Sequence, residues 1–247
     1  MRGLTRKQID SAESKDFALG DGPLRPRDAG TLILLDRRGD VPHVLIGRRH
    51  RKHAFMPGKF VFPGGRTDPN DGRIKTADSL DARELQKLTS GPGRKASPTR
   101  ARAIALSAIR ETYEEAGYLI GSKGTFESPH SDWQGFVDYG VTPELSGLRF
   151  IARAITPPGR VRRFDTRFLA AFTDSVAVAL DGGGPTDELE ELIWLPVREA
   201  MEADIPVITK TVLDELDRRL TVDPALTPGG DVPFYHMKHN RFRRDII

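Results

Sequence analysis

The stretch that most constrains how this chain can fold is Ala101 to Tyr118, ARAIALSAIRETYEEAGY. At about 100° of rotation per residue, Ala105, Leu106, Ala108, Ile109, Thr112, Tyr113 and Ala116 share one broad, mostly apolar arc, so the spacing predicts a helix buried on that side. Arg110, Glu114, Ser107, Glu111 and Glu115 take the remaining arc of roughly 140°, which sets three carboxylates within a turn of one another. No lysine interleaves them. Exposed helices usually offset glutamate with a cation three or four residues away; here the three repel, and something cationic is expected beside them. Oxygen ligands on one rigid helix suit hard ions such as Mg²⁺ or Mn²⁺. The plain alternative is a solvated acidic face. Ser97-Pro98-Thr99 offers the helix an N-terminal cap.

Upstream, Phe62-Pro63-Gly64-Gly65-Arg66-Thr67-Asp68 is a hydrophobic strand end running into adjacent glycines, which let backbone approach a ligand closely. Together with Arg110-Glu111-Thr112-Tyr113-Glu114-Glu115-Ala116-Gly117 it resembles the Nudix box. Asp71 stands where that pattern has Glu, and Thr112 where an aliphatic residue is usual. Residues 72–99 intervene between the two halves, an insertion expected to emerge on the surface as a lid or an interface. Asp71 is therefore either paired with Arg110 or carried away from it.

The resemblance implies an α/β fold, a Nudix-type α/β/α sandwich with a mixed central sheet. It spans residues 29–205, after an N-terminal tail (1–28) and before a C-terminal helix and extended tail (206–247). It also implies a metal-dependent hydrolase that cleaves a diphosphate linkage in a small nucleoside diphosphate derivative. Glu111, Glu114, Glu115 and the Gly65 carbonyl would hold Mg²⁺ or Mn²⁺, with Arg110 keeping carboxylates in register. The general base would be Glu111 or a loop carboxylate before the late strand ending Trp194-Leu195-Pro196, with Glu188 the first choice and Glu191 the second.

Substrate class rests on the arginines, which outnumber lysines by 28 to 10 and cluster. Arg48, Arg49, Arg51 and Lys52 form one group, Arg160, Arg162, Arg163 and Arg167 a second, and Arg241, Arg243 and Arg244 a third. Guanidinium forks suit phosphate oxygens, so Arg48, Arg49 and Arg163 are candidate substrate-binding residues. Val44, Leu45, Ile46, Arg49, Gly58 and Phe62 fit the coenzyme A signature of some Nudix enzymes, with Ala54 in place of its second arginine. The Phe55-Met56-Pro57-Gly58 approach to Phe62, the inserted box and Arg163-Phe164-Asp165-Thr166 together resemble the acyl-coenzyme A diphosphatase branch. CoA or an acyl-CoA is the expected substrate; ADP-ribose, nucleotide sugars or dinucleotides are the alternative, and a non-hydrolytic sensor on the same scaffold a third. Nucleic acid is disfavoured, since aromatic content is 7% and no nucleic-acid-binding motif is present.

Zero cysteines exclude disulfides, thiolate metal sites and cysteine nucleophiles. No apolar run approaches a membrane span of ~20 residues, and residues 1–28 lack the apolar centre of a secretory signal. A cytoplasmic location is expected, and the final Asp245-Ile246-Ile247 is not a peroxisomal address.

Elsewhere the pattern predicts strands at Thr31–Leu35, His43–Gly47, Phe60–Phe62, Leu148–Ile155, Phe168–Phe172, Val176–Leu180 and Leu192–Leu195. Helices are expected over Asp78–Leu88, stopped by Ser90-Gly91-Pro92-Gly93, and over Pro196–Ala203 and Pro206–Leu220. Thr221–Ile247 reads as an extended basic tail covering either the active site or the partner subunit of a homodimer.

Overall fold

The structure is a computed structural model that describes residues 5, 7, 8, 11, 24–51, 56–91 and 97–247. Lys52, Ala54, Pro92, Gly93 and most of the N-terminal tail lie outside the described residues.

Strand β1 (Arg27–Asp36) forms the centre of a mixed sheet because its apolar run has no polar face to give to water. Leu32 and Leu34 belong to one core, Ile33 and Leu35 to the other, so successive side chains feed opposite sides of the sheet. Antiparallel to β1 lies β2 (His43–Arg49), which carries the short strand β3 (Phe60–Val61); β4 (Gly64–Arg66) continues along the first half of β1.

The first core is covered by helix α2 (Pro98–Ala116) and by α1 (Ala82–Leu88), which precedes it in the chain. Ser97 caps α2 by accepting from the Arg100 amide at 3.2 Å, and Gly117, at φ +76°, ends it. The helix lies unusually close to β1. A side chain at Gly30 would sit 2.7 Å from Ser107 Oγ, so only glycine allows this approach.

A small second sheet joins β5 (Tyr118–Lys123), β6 (Val141–Pro143) and β9 (Val176–Ala179), with the short helix α3 (Gln134–Asp138) beside it. The main sheet continues through β7 (Arg149–Ile155) and β8 (Phe164–Phe172) on one side and β10 (Leu189–Pro196) on the other. After the short helix α4 (Val197–Ala200), α5 (Val207–Val222) covers the second core.

The C-terminal stretch departs from the expected tail. Strands β11 (Pro233–Lys238) and β12 (Arg241–Ile246) form a hairpin, and β11 adds to β7 in parallel, giving the order β10-β2-β1-β8-β7-β11-β12. Phe234, Tyr235 and Phe242 are buried, and the Tyr235 hydroxyl donates to Glu215 of α5, which also accepts from Arg244 Nε at 2.6 Å. Burial of three aromatic rings outweighs the basic character that suggests a tail.

The insertion also departs from a surface excursion. Ile74, Leu80 and Leu88 are buried in the first core, and Arg102 of α2 donates to the Gly72, Ile74 and Thr76 oxygens. Its helix begins at Ala82, not Asp78, because Asp78 instead accepts from the Leu145 amide at 2.6 Å. Glu84, 1% exposed, accepts from the Phe150 and Gly229 amides, both at 2.8 Å, and so ties α1 to β7 and to the loop before the hairpin. Glu84→Ala strands two buried donors and is expected to cost about 2–5 kcal/mol, taking 1.5–3 for each bond to a charged group and allowing partial relaxation; denaturant melts measure it, and a change near zero would contradict this role.

Candidate active site

Close to the turn between β3 and β4, α2 delivers its acidic face. Glu115 is 2% exposed and accepts from the Gly64 amide at 2.9 Å, while its Oε1 has no hydrogen-bond partner. Glu111 lies against Gly65 so closely that any side chain there would sit 2.5 Å from its carboxylate oxygens. Glycine at 65 is thus a steric requirement of the carboxylate beside it. Glu188 reaches the same cleft from the loop before β10.

Arg110 answers the question left open about Asp71. Its Nε donates to Asp71 Oδ1 at 3.0 Å, Nη1 to Glu114 Oε2 at 2.7 Å, and Nη2 to the Arg66 carbonyl at 3.1 Å. Nη1 also stands 2.9 Å from Glu111 Oε1. Asp71 is 1% exposed despite the insertion that follows it, because a 3-10 turn over Asp71–Arg73 starts at once and packs on α2. Trp133 Nε1 lies 3.4 Å from the same carboxylate.

The remaining sequence candidates divide by strand parity. Arg49 lines the cleft, 3.6 Å from Glu115 and 3.8 Å from Glu188. Arg48 points the other way, stacked 4.2 Å over Phe60 and 2.8 Å from Glu191, so neither Arg48 nor Glu191 belongs to the cleft. Arg163 is spent on backbone, donating to Thr156 O at 3.0 Å and Leu24 O at 2.6 Å. Its neighbour Arg162 lines the cleft instead, as does Arg66. Arg162 stood in the second arginine cluster of the sequence, but only structure shows which member faces the opening. Arg160 and Arg167 of that cluster are buried, and Arg167 pairs with Asp28 and Asp165. Glu114 is bonded to Arg110 and lies outside the cleft lining.

The cleft encloses about 300 Å³. Beyond the carboxylates its wall is largely apolar: Phe62, Phe164 and Phe168 from the sheet, Ile208 from α5 and Phe242 from the C-terminal hairpin. Cations, carboxylates and apolar side chains therefore share one cleft.

Burial pushes Glu111 above the ordinary carboxylate range, with Arg110 opposing and Glu188 reinforcing the shift. Burial likewise lifts Glu114 to about 7 and holds Glu115 well above 4.5, the latter opposed by Arg49 and reinforced by Glu111. Crowded carboxylates that resist ionisation accept a cation readily, because a divalent ion reverses each of those penalties. The donor set is all oxygen, the Glu115 Oε1 atom is unpartnered, and both features fit Mg²⁺ or Mn²⁺. Among the described residues no three Asp, Glu or His side chains already converge on one point, since Arg49 and Arg110 hold the carboxylates apart.

The sign of the pH effect follows. The folded protein binds these protons more tightly than the unfolded chain, so stability is fully present below about pH 4.5 and falls as pH rises through the folded value, about 7 for Glu114. Asp28, Asp36 and Glu215 are shifted down and act in the more acidic range. In EDTA the melting temperature is expected to fall between roughly pH 5 and 7.5, and Mn²⁺ to flatten the fall. A flat profile in EDTA would contradict it.

No family model matches the chain. Among solved structures, the crystal structure of a Nudix hydrolase from Alicyclobacillus acidocaldarius superposes with a TM-score of 0.59 at 24% identity, over 77% of this chain and 90% of that one. The NUDIX domain of Shewanella oneidensis NrtR complexed with ADP ribose (TM-score 0.45, 9% identity, 85% of this chain and 98% of that one) is a more remote likeness. The fold is a Nudix-type α/β/α sandwich with a mixed central sheet. Among the described residues no helix is long and apolar enough to cross a membrane.

Proposed function

We propose that this chain is a metal-dependent Nudix hydrolase that cleaves the diphosphate linkage of a nucleoside diphosphate derivative. The observation that carries the reading is that Glu111, Glu115 and Glu188 line one cleft beside the Gly64-Gly65 bend, with the Glu115 Oε1 atom buried and without a hydrogen bond. Glu111, Glu115 and the Gly65 carbonyl would hold Mg²⁺ or Mn²⁺, with Glu114 adding a ligand on release from Arg110. Bound there, the metal supplies charge neutralisation of the phosphoryl oxygens and a water of lowered pKa.

The chain's own residues do the rest. Gly64 donates its amide to Glu115 and fixes that carboxylate. Arg110, tied to Asp71, holds Glu111 beside the cleft and Glu114 just outside its lining. Arg49, Arg66 and Arg162 offer guanidinium forks to a diphosphate that enters the opening. Glu188, half-buried on the loop before β10, would take the proton of the attacking water; Glu111 is the other candidate. A pH-rate profile separates them, since loss of the acidic limb in Glu188→Gln or in Glu111→Gln identifies the base.

The substrate we favour is CoA or an acyl-CoA. The apolar wall of Phe164, Phe168, Ile208 and Phe242 suits a long group attached to the diphosphate, and the exposed Arg162 suits an additional phosphate. The test is a panel of CoA, acetyl-CoA, a long-chain acyl-CoA, ADP-ribose and NADH with Mg²⁺ or Mn²⁺, followed by product mass. Cleavage of ADP-ribose and NADH without CoA turnover would replace the substrate and keep the reaction; binding without cleavage of any would make the chain a sensor.

A further inference from the structure

Two guanidiniums flank the acidic face of α2, and they are held in opposite ways. Arg110 is fixed, with hydrogen bonds to Asp71, Glu114 and the Arg66 carbonyl. Arg49 is 14% exposed along its side chain, yet its guanidinium makes no hydrogen bond among the described residues, and its Nε is buried without one. It stands off from Glu115 and Glu188 at 3.6 and 3.8 Å, too far for hydrogen bonds and close enough for charge. A largely buried guanidinium with no hydrogen bond among the described residues is an expensive way to hold structure. It is a suitable way to hold a place.

We propose that Arg49 is a displaceable counter-ion: it neutralises Glu115 and Glu188 in the metal-free protein, and a divalent cation arriving there releases it to grip a phosphoryl group. The inference rests on the cation site proposed above. When the carboxylates turn to the metal, Arg49 loses its partners and meets a like charge. Its five N–H donors are then free to turn into the cleft that it lines together with Thr31 and Phe62. Metal binding and phosphate binding thereby become coupled through one side chain. Strand β2 fixes the backbone of Arg49, so a side-chain rotation suffices.

The experiment compares wild type with Arg49→Met by Mn²⁺ titration followed by electron paramagnetic resonance, and by melting in EDTA and in saturating Mn²⁺. Removal of the competing cation should tighten Mn²⁺ by about tenfold, near the lower end of ordinary coupling. Arg49→Met should melt below wild type in EDTA and level with it in Mn²⁺, because the lost contact exists only in the metal-free state. Unchanged or weaker Mn²⁺ binding, or a melting deficit that persists in Mn²⁺, overturns the proposal; a purely structural arginine gives that pattern. Should Arg49→Met fail to fold, the wild-type protein still decides the matter. The side-chain Nε resonance of Arg49, identified by its loss in Arg49→Lys, should move on Mg²⁺ titration, and a stationary resonance at saturation overturns the inference. Wild type that binds no Mn²⁺ at all removes the functional reading and this one together, whereas wild type that binds Mn²⁺ with no gain in Arg49→Met removes only this one.

Discussion

Glu115→Gln is expected to lower turnover at saturating Mg²⁺ or Mn²⁺ by about 10²–10³-fold, the equivalent of several kcal/mol of lost transition-state charge stabilisation. The substitution keeps volume and keeps an oxygen to accept from the Gly64 amide, so the bend remains anchored. What it removes is the anion. Glu115 is fully enclosed, and burial already opposes its charge, so a neutral amide relieves the protein while depriving the metal of a ligand. The melting temperature in EDTA should therefore hold or rise while kcat collapses. Glu114→Gln provides the contrast: its carboxylate is bonded to Arg110, lies off the cleft and would add a ligand only on leaving that bond, so a smaller loss of about 10–100-fold is expected. Steady-state kinetics with both variants checks the order. Near-parental turnover in Glu115→Gln would remove it from the metal site.

The acidic helix and its glycine bend were legible because each is a local pattern: a 3.6-residue period with one acidic arc, and two glycines after a strand. Glu111 beside Gly65 is the meeting of those two patterns. What the sequence left undecided was parity and return. Arg48 and Arg49 are adjacent on one strand, so one faces the cleft and the other Phe60; which is which depends on pairing with β3 and β10, and β10 carries a register shift between Leu189 and Glu191. Arg162 and Arg163 pose the same problem at the entry to β8, where the Thr156 carbonyl captures Arg163. The hairpin and the tight return of the insertion to the core escape a local reading for a different reason. Ile74, Glu84 and Phe234 make their contacts with residues far along the chain, and the polar letters around them look like surface until those partners are known.

Arg110→Met is expected to be the most damaging single change to stability. Arg110 is 6% exposed, and although burial opposes its charge, Asp71, Glu111 and Glu114 more than offset that and hold the guanidinium more firmly protonated. Without it, Asp71 is left 1% exposed with only the Asp68 amide at 2.8 Å and Trp133 Nε1 at 3.4 Å. Removing one partner of a buried pair costs about 3–5 kcal/mol, because the other charge stays behind uncompensated. For a chain of this size that corresponds to a fall of about 6–20 °C in melting temperature, at roughly 2–4 °C per kcal/mol. Adding Asp71→Asn removes the stranded charge, so the double variant should recover a substantial part of the loss; the coupling is read from melts of the two single variants and the double. Activity should not recover with it, since Glu111 and Glu114 then lose the cation that spaces them. If the double variant is as unstable as the sum of its parts, Asp71 and Arg110 do not act as a pair, and the inserted segment is held to α2 by Arg102 and the buried Ile74 instead.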